Sequence, residues 1–301
     1  MTFFGRENRR QLGGRLLILA VLFFSGVTGI ARSTELTAEP IKAKLIASTD
    51  NTTPGVPFTL GVFFKIEPGW HLYWKSAGDA GLPPIIKWNL PAGWTIGSLQ
   101  WPLPVRFIEK GPLTTYGYAD SLLLAVAVTP PADMPLSGKL TLTAKAKWLV
   151  CHDECIPGGA DLSIEIPIST KGPKAEAGAN DQQFATWRKK LPALSVPSGI
   201  TVTTRLGSLD STGRTRTLTL SAQSTDQMLM PADWFPAPTT DFVVKDIQIT
   251  KNTNGFDVTC EIHSFRKPLS EIGTLESLII GADSKGGRHG ITVVSSLSSK
   301  S

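Results

Sequence analysis

The chain has 301 residues, 41% of them hydrophobic and 18% charged, with a formal charge of +5 at pH 7. That length and apolar content suit a packed core of one large or two ordinary domains. Only three cysteines are present, which excludes a disulfide-dense mini-scaffold.

Residues 1–31 read as a secretory signal peptide. Arg6, Arg9, Arg10 and Arg15 form a positive n-region, "LLILAVLFF" (Leu16 to Phe24) a short apolar h-region, and "SGVTGIARS" a cleavage stretch, cut near Ala31 or Ser33. The run is too short for a comfortable membrane span, and no other segment approaches about 18 apolar residues. Removing residues 1–31 takes away four Arg and one Glu and lowers the charge from +5 to +2. A nearly neutral remainder argues against nucleic acid as the partner.

From Ile41 to about Ile168 the pattern is strands and turns. "KAKLIAS" alternates, and "TPGVPFTLGVFFKI" gives a turn and a second strand. "PGWHLYWKSAGDAGLPP" begins aromatic and ends rich in turn formers. "IIKWNLPAGW" and "IGSLQWPLPVRF" are punctuated by Pro, as edge strands are. "SLLLAVAVTP", "KLTLTAKAKWLV" and "ADLSIEIPI" complete a set expected to fold as a β-sandwich. "STKGPKAEAGAND" is a polar linker. After it "DQQFATWRKKL" sets Phe184, Trp187 and Leu191 at helical spacing, with Asn180 or Asp181 as N-cap. Six further strand patterns, from "GITVTTRL" to "GITVVSSL", describe a second β-sandwich, its last two strands joined through "DSKGG". The expected division is a signal peptide over 1–31, a first domain over 36–170, a linker over 171–180 and a second domain over 181–301.

In "KWLVCHDECIPGG", Ala144, Ala146, Trp148 and Val150 alternate with polar neighbours, so a strand runs to Cys151 with Trp148 and Val150 buried. "HDE" is a polar tip, and Pro157 and Gly158 disfavour a long regular ladder after Cys155. The two cysteines thus flank a three-residue connection that brings their Cα atoms within disulfide range. Three readings stay open. A structural staple would constrain little in so small a loop. An exposed pair at a strand end is labile and suits redox exchange. A soft metal such as Cu(I) could use Cys151, His152 and Cys155. Cys260 alternates with Phe256, Val258 and Ile262 and reads as a buried, unpaired core thiol. His71 among Trp70, Tyr73 and Trp74 reads as a packed histidine, and Asp79 as a turn former. No nucleophile elbow, HExxH, P-loop or GxGxxG is present, so nothing supports a hydrolase or a nucleotide site.

The segments "GWHLYWKSAGDAGLPPIIKWNLPAGW", "WPLPVRF", "YGYADSLLLAVAV" and "WLVCHDECIPGG", in this order, resemble the periplasmic N-terminal domain of the DsbD/ScsB family of thiol:disulfide interchange proteins. The resemblance covers Ile41 to Ile168. It implies an all-β fold of two immunoglobulin-like β-sandwich domains, the second with a short N-terminal helix. It also implies a periplasmic location and no cofactor. Electrons would pass from a membrane-embedded donor protein to oxidised thioredoxin-fold oxidoreductases. Cys155 would be the nucleophile that forms the mixed disulfide and Cys151 the resolving cysteine. A cap loop is expected at "TTYGY", with Tyr116 and Tyr118 shielding the pair. A non-catalytic binding module with a fixed disulfide and a copper-handling protein are the alternatives.

Overall fold

The computed structural model describes residues 39–111, 113–169, 180–193, 195–225, 230–282 and 286–298. The signal peptide, most of the linker and part of the "DSKGG" turn lie outside them. The first half contributes β1 (Ile41–Ala47), β2 (Phe58–Ile66), β3 (His71–Gly78), β4 (Ile85–Asn89), β5 (Thr95–Ile96), β6 (Val105–Ile108), β7 (Thr114–Tyr118), β8 (Ser121–Thr129), β9 (Lys139–Cys151) and β10 (Cys155–Pro167). One antiparallel sheet has the order β1-β2-β8-β5. The facing sheet runs β10-β9-β3-β7-β6, with β4 also paired to β9.

The period-two patterns set the inner faces. Leu45, Val62, Phe64, Leu122, Leu124 and Val126 of the first sheet meet Leu72, Leu142, Ala146, Trp148 and Val150 of the second. Phe64 and Trp148 pack edge to face at 5.5 Å between centroids. Each fully buried side chain of this size contributes about 1.5–3 kcal/mol. The run "LLLAVAV" in β8 does not alternate because both its faces are covered. Its outer residues Leu123 and Ala125, with Ile46, lie under Phe184 and Trp187 of α1 (Asp181–Arg188). The helix thus precedes the second sandwich in the chain but docks on the first. Asn180 sits at the N-cap position without capping; its amide donates instead to the Ala47 carbonyl at 3.3 Å.

The second half forms β11 (Ile200–Leu206), β12 (Thr215–Ser224), β13 (Met230–Pro236), β14 (Phe242–Lys251), β15 (Gly255–Ser264), β16 (Thr274–Ala282) and β17 (Arg288–Ser296). Sheets β11-β12-β15-β14 and β13-β16-β17 enclose Leu218, Leu220, Phe256, Val258 and Ile262 against Trp234, Ile279 and Ile291. Cys260 is free within this core, and burial pushes its thiol up to about 12.

Sequence pattern missed β13. "MPADWFP" carries two prolines and a register shift between Pro231 and Asp233, so it has no clean alternation. This strand and β16 join the two halves. Trp234 and Ile279 face the second core, while Phe235, Leu278 and Ile280 pack on the first. A sheet covered on both sides reads as a continuous apolar run, as "WF" and "LII" do. Phe235 meets Trp74 at 5.8 Å and Tyr116 at 4.8 Å. The buried Asp233 carboxylate accepts from Nε and Nη2 of Arg106. From Glu39 onward the chain is therefore one compact unit.

Two local expectations change. The β9–β10 ladder is regular from Cys155 opposite Cys151 to Pro167 opposite Lys139, so Pro157 and Gly158 do not interrupt it. β10 is an edge strand, where a missing N–H is tolerated. Gly158 leaves room for Trp148, since a Cβ there would lie 2.4 Å from the indole nitrogen. "TTYGY" is not a loop but β7, paired to β3 and β6.

Phe235→Ala should remove about 3–5 kcal/mol of stability, because a fully buried ring is lost where the two cores meet. Urea unfolding followed by tryptophan fluorescence measures this directly.

Candidate functional site

Strand β9 ends at Cys151 and β10 begins at Cys155, with His152, Asp153 and Glu154 as the tip. The register sets the two cysteines directly opposite each other, and they form a disulfide with Cα atoms 4.1 Å apart. The His152 N–H donates to the Glu154 carbonyl at 3.1 Å and closes the tip. The two sulfur-bearing residues differ in access. Cys151 is 2% exposed, whereas Cys155 is open to solvent.

Register also decides which side chains surround the pair. Cys151 is opposite His71 and Val150 is opposite Leu72. The alternation in "HLYW" therefore puts His71 and Tyr73 on the face of the disulfide, and Leu72 and Trp74 in the core. The Tyr73 hydroxyl donates to Cys151 Sγ at 2.8 Å and lies 3.7 Å from Cys155 Sγ. Burial first, and then the charge of Glu109, raise the Tyr73 pKa, so this oxygen remains a proton donor. Gly81 presses on the Tyr73 ring. A Cβ there would come within 2.2 Å of the ring, and its φ of +99° is one that glycine adopts freely. The segment Gly78–Pro84 thus forms a flap over Tyr73. It is tied down at Asp79, whose N–H donates to the Thr114 carbonyl and whose carboxylate accepts from the Thr114 N–H.

The β6–β7 turn covers the other side. The Phe107 ring stacks on His71 at 4.5 Å, and Glu109 Oε1 lies 3.2 Å from His71 Nε2, close but not aligned as a hydrogen bond. The Thr115 hydroxyl donates to the same carboxylate oxygen at 2.8 Å. Burial lowers the His71 pKa, Glu109 opposes that shift and His152 adds to it. At the turn's end Lys110 pairs with Asp153 of the cysteine hairpin. That pair lowers the Asp153 carboxyl below its ordinary value. Strand β7 crosses between β3 and β6 with Gly117 opposite Tyr73. A Cβ at 117 would lie 2.0 Å from the Leu72 carbonyl oxygen.

Tyr116 and Tyr118 sit elsewhere. Tyr118 is opposite Leu72, which puts both tyrosines on the core face, away from the sulfurs. Tyr116 packs on Phe235 under the Arg106 guanidinium, and the Tyr118 hydroxyl donates to the Pro102 carbonyl. Tyr116 and Tyr118 thus lie away from the pair; the side chain that touches both sulfurs is Tyr73, with Phe107 and Glu109 placed against its neighbour His71. The alternation of "HLYW" carried the signal for Tyr73. Nothing in the sequence alone pointed to Phe107, which lies in β6 opposite Thr115, or to Glu109, which follows that strand. His152 packs on Trp70 at 5.7 Å, with Nδ1 3.1 Å from Asp153. Among the described residues no group of three or more His, Cys, Asp or Glu is placed to hold a metal ion. No helix among them is long and apolar enough to cross a membrane.

The chemistry open to such a site is thiol–disulfide exchange. Cys155 is exposed, and Cys151 is enclosed beside a hydroxyl donor.

A family model described as "Thiol:disulfide interchange protein DsbD, N-terminal" matches residues 40–165. Among solved structures, the N-terminal periplasmic domain of ScsB from Proteus mirabilis is similar with a TM-score of 0.62 and 18% identity. The match covers 85% of this chain and 94% of that one, so the fold is shared across both halves. BcpA*(D312A), the major pilin subunit of Bacillus cereus, reaches a TM-score of only 0.28 at 10% identity, over 87% of this chain and 67% of that one. The sporulation control protein Spo0M of Bacillus subtilis reaches 0.22 at 14% identity, over 86% and 91%. No curated protein sequence matches. Residues 40–165, which hold the disulfide hairpin, thus match the N-terminal domain of the thiol:disulfide interchange protein DsbD, and the chain shares its fold with the N-terminal periplasmic domain of ScsB.

Proposed function

We propose that the protein is a periplasmic electron relay whose Cys151–Cys155 bond is broken and remade in each cycle, without a cofactor. The observation that carries this reading is the asymmetry of the pair: Cys155 open, Cys151 enclosed and hydrogen-bonded by Tyr73. A staple role fits less well, because a bond closing a three-residue tip adds little to a hairpin already paired over its whole length.

The electrons come from a membrane-embedded dithiol protein. Its thiolate attacks Cys155 Sγ, the S–S bond breaks, and Cys151 leaves as a thiolate that the Tyr73 O–H stabilises. The donor's second thiolate then attacks its own sulfur in the mixed disulfide. Cys155 is released as a thiolate, and the donor departs oxidised. Two electrons have moved, and two protons from solvent complete the dithiol. In the second half-cycle the Cys155 thiolate attacks the disulfide of an oxidised thioredoxin-fold protein. The Cys151 thiolate attacks Cys155 Sγ, restores the internal bond and releases the partner as a dithiol. The positive, apolar N-terminal segment of residues 1–31 would direct export.

Trapping tests the relay. Cys151→Ser should accumulate a mixed disulfide through Cys155 with a thioredoxin-fold protein, and Cys155→Ser should not. Absence of any trapped complex, together with a folded pair that dithiothreitol cannot reduce, would overturn the reading.

Order of alkylation tests the assignment of roles. In the reduced protein at pH 8, iodoacetamide should label Cys155 first and Cys151 more slowly. Cys260, held protonated by burial, should react only after unfolding. Mass spectrometry of quenched samples reads the order.

Tyr73→Phe removes one hydrogen bond to a sulfur that becomes an anion. Such bonds contribute roughly 1.5–3 kcal/mol, so reduction by dithiothreitol should slow by roughly ten- to a hundredfold. An unchanged rate would show that the hydroxyl only covers the bond.

A further inference from the structure

The seam between the two halves is not filled everywhere. Trp74, which packs on Phe235 across it, also forms part of the wall of a chamber of about 530 Å³. Three parts of the chain build that chamber. The first sandwich supplies Trp74 of β3, with Leu99 and Trp101 from the segment between β5 and β6. Leu191 and Pro192 follow α1, and the second half supplies Leu278 of β16 and Thr292 of β17. Thr292 is directly opposite Leu278 in register, so both share the face turned toward the first half. Backbone bonds fix these walls. The Gly97 N–H donates to the Ala127 carbonyl at 2.8 Å, and the Gln100 N–H to the Ala125 carbonyl at 2.9 Å. The Leu103 N–H donates to the Lys190 carbonyl at 2.7 Å, and the Ala193 N–H to the Gly290 carbonyl at 2.8 Å.

Protein interiors leave few voids larger than a water molecule. A pre-formed space where two packed units meet, walled by aromatic and aliphatic side chains with a few polar ones, is the form that small-molecule sites take; they span about 300–1,000 Å³. The wall narrows the class of ligand. Among its described residues only Lys75 and Glu276 carry charge, and they are paired at 2.8 Å, both partly exposed. Lys75 Nζ also lies 5.3 Å from the centroid of the Trp74 ring. A charged ligand would therefore meet no unpaired opposite charge. No cysteine or histidine is among the described lining residues, so neither covalent nor metal chemistry has a group to use. Two indoles suit a flat ligand. Trp74 is 2% exposed, and its Nε1–H has no partner among the described residues. An indole nitrogen can only donate, and a buried donor left unpaired costs free energy that an acceptor would recover.

We infer that this chamber is a binding site for a small, flat, uncharged apolar molecule that carries one hydrogen-bond acceptor, as an aromatic ketone or ester does. The site goes beyond the relay and does not depend on it, since neither sulfur of the disulfide belongs to its wall. Because all three parts of the chain touch the ligand, its binding stabilises the folded seam by mass action.

The test titrates the full chain with 6-propionyl-2-(dimethylamino)naphthalene, an uncharged aromatic ketone whose emission shifts to the blue in apolar surroundings. The parent should bind one probe per chain and unfold at a higher temperature with it. No saturable binding up to the solubility limit of the probe would overturn the site. Gln100→Trp and Thr292→Trp fill the chamber from the first and the second half, and each should weaken binding by about tenfold or more. Undiminished binding by both folded variants would overturn the site. Trp74→Phe keeps a ring and removes the N–H, an arm that needs no filling. It should weaken the ketone by about two- to tenfold and leave 2-(dimethylamino)naphthalene, the same molecule without the ketone, unchanged. Equal effects on the two probes would overturn the acceptor. Leu136→Asp changes an exposed apolar side chain outside the chamber and should bind as the parent does. Weakening by that variant, or several probes per chain, would show adsorption to exposed apolar surface and overturn the site.

Discussion

The register of β9 against its two neighbours is the constraint on which the site depends. On one side it sets Cys151 opposite Cys155, and on the other opposite His71. A slip of one residue would part the cysteines and exchange Cys151 with Val150 between the two faces of the sheet. The register is held by burial of Leu142, Ala144, Ala146, Trp148 and Val150 along the same strand. An apolar stripe on the opposite face of the strand thus fixes the geometry of the disulfide.

Much of the site could be read from the residues alone. The alternation up to Val150, the three-residue tip and the buried, unpaired Cys260 follow from period two and from cysteine spacing. The β-sandwich character of both halves follows from regular turn signals. What escaped depends on contacts distant in sequence. Strand β13 is broken by prolines and buried on both faces, so it shows neither alternation nor propensity. Phe107 and Glu109 reach His71 across β7, a placement that no local pattern encodes. Tyr116 and Tyr118 lie in a segment that resembles a cap, yet their parity relative to Leu72 sends them into the core.

The second half of the chain is not an appendage. Phe235, Leu278 and Ile280 complete the core of the first half, and Arg106 is paired to Asp233 across the junction. Burial alone would lower the Arg106 pKa, but Asp233 more than offsets that, and the group stays charged. Removal of either partner would leave a charge in a largely desolvated seam. The helix α1 extends the same logic to the opposite sheet, so β8 is buried on both faces from Leu122 to Val126.

Strand β3 shows what this economy of design entails. Its odd positions, His71 and Tyr73, attend to the sulfurs, while its even positions, Leu72 and Trp74, hold the halves together. Chemistry and assembly are interleaved residue by residue along one stretch of backbone. Sequence drift in this stretch is therefore hemmed in from both sides: a replacement that suits the seam alters the spacing of its neighbours beside the bond, and the reverse holds equally.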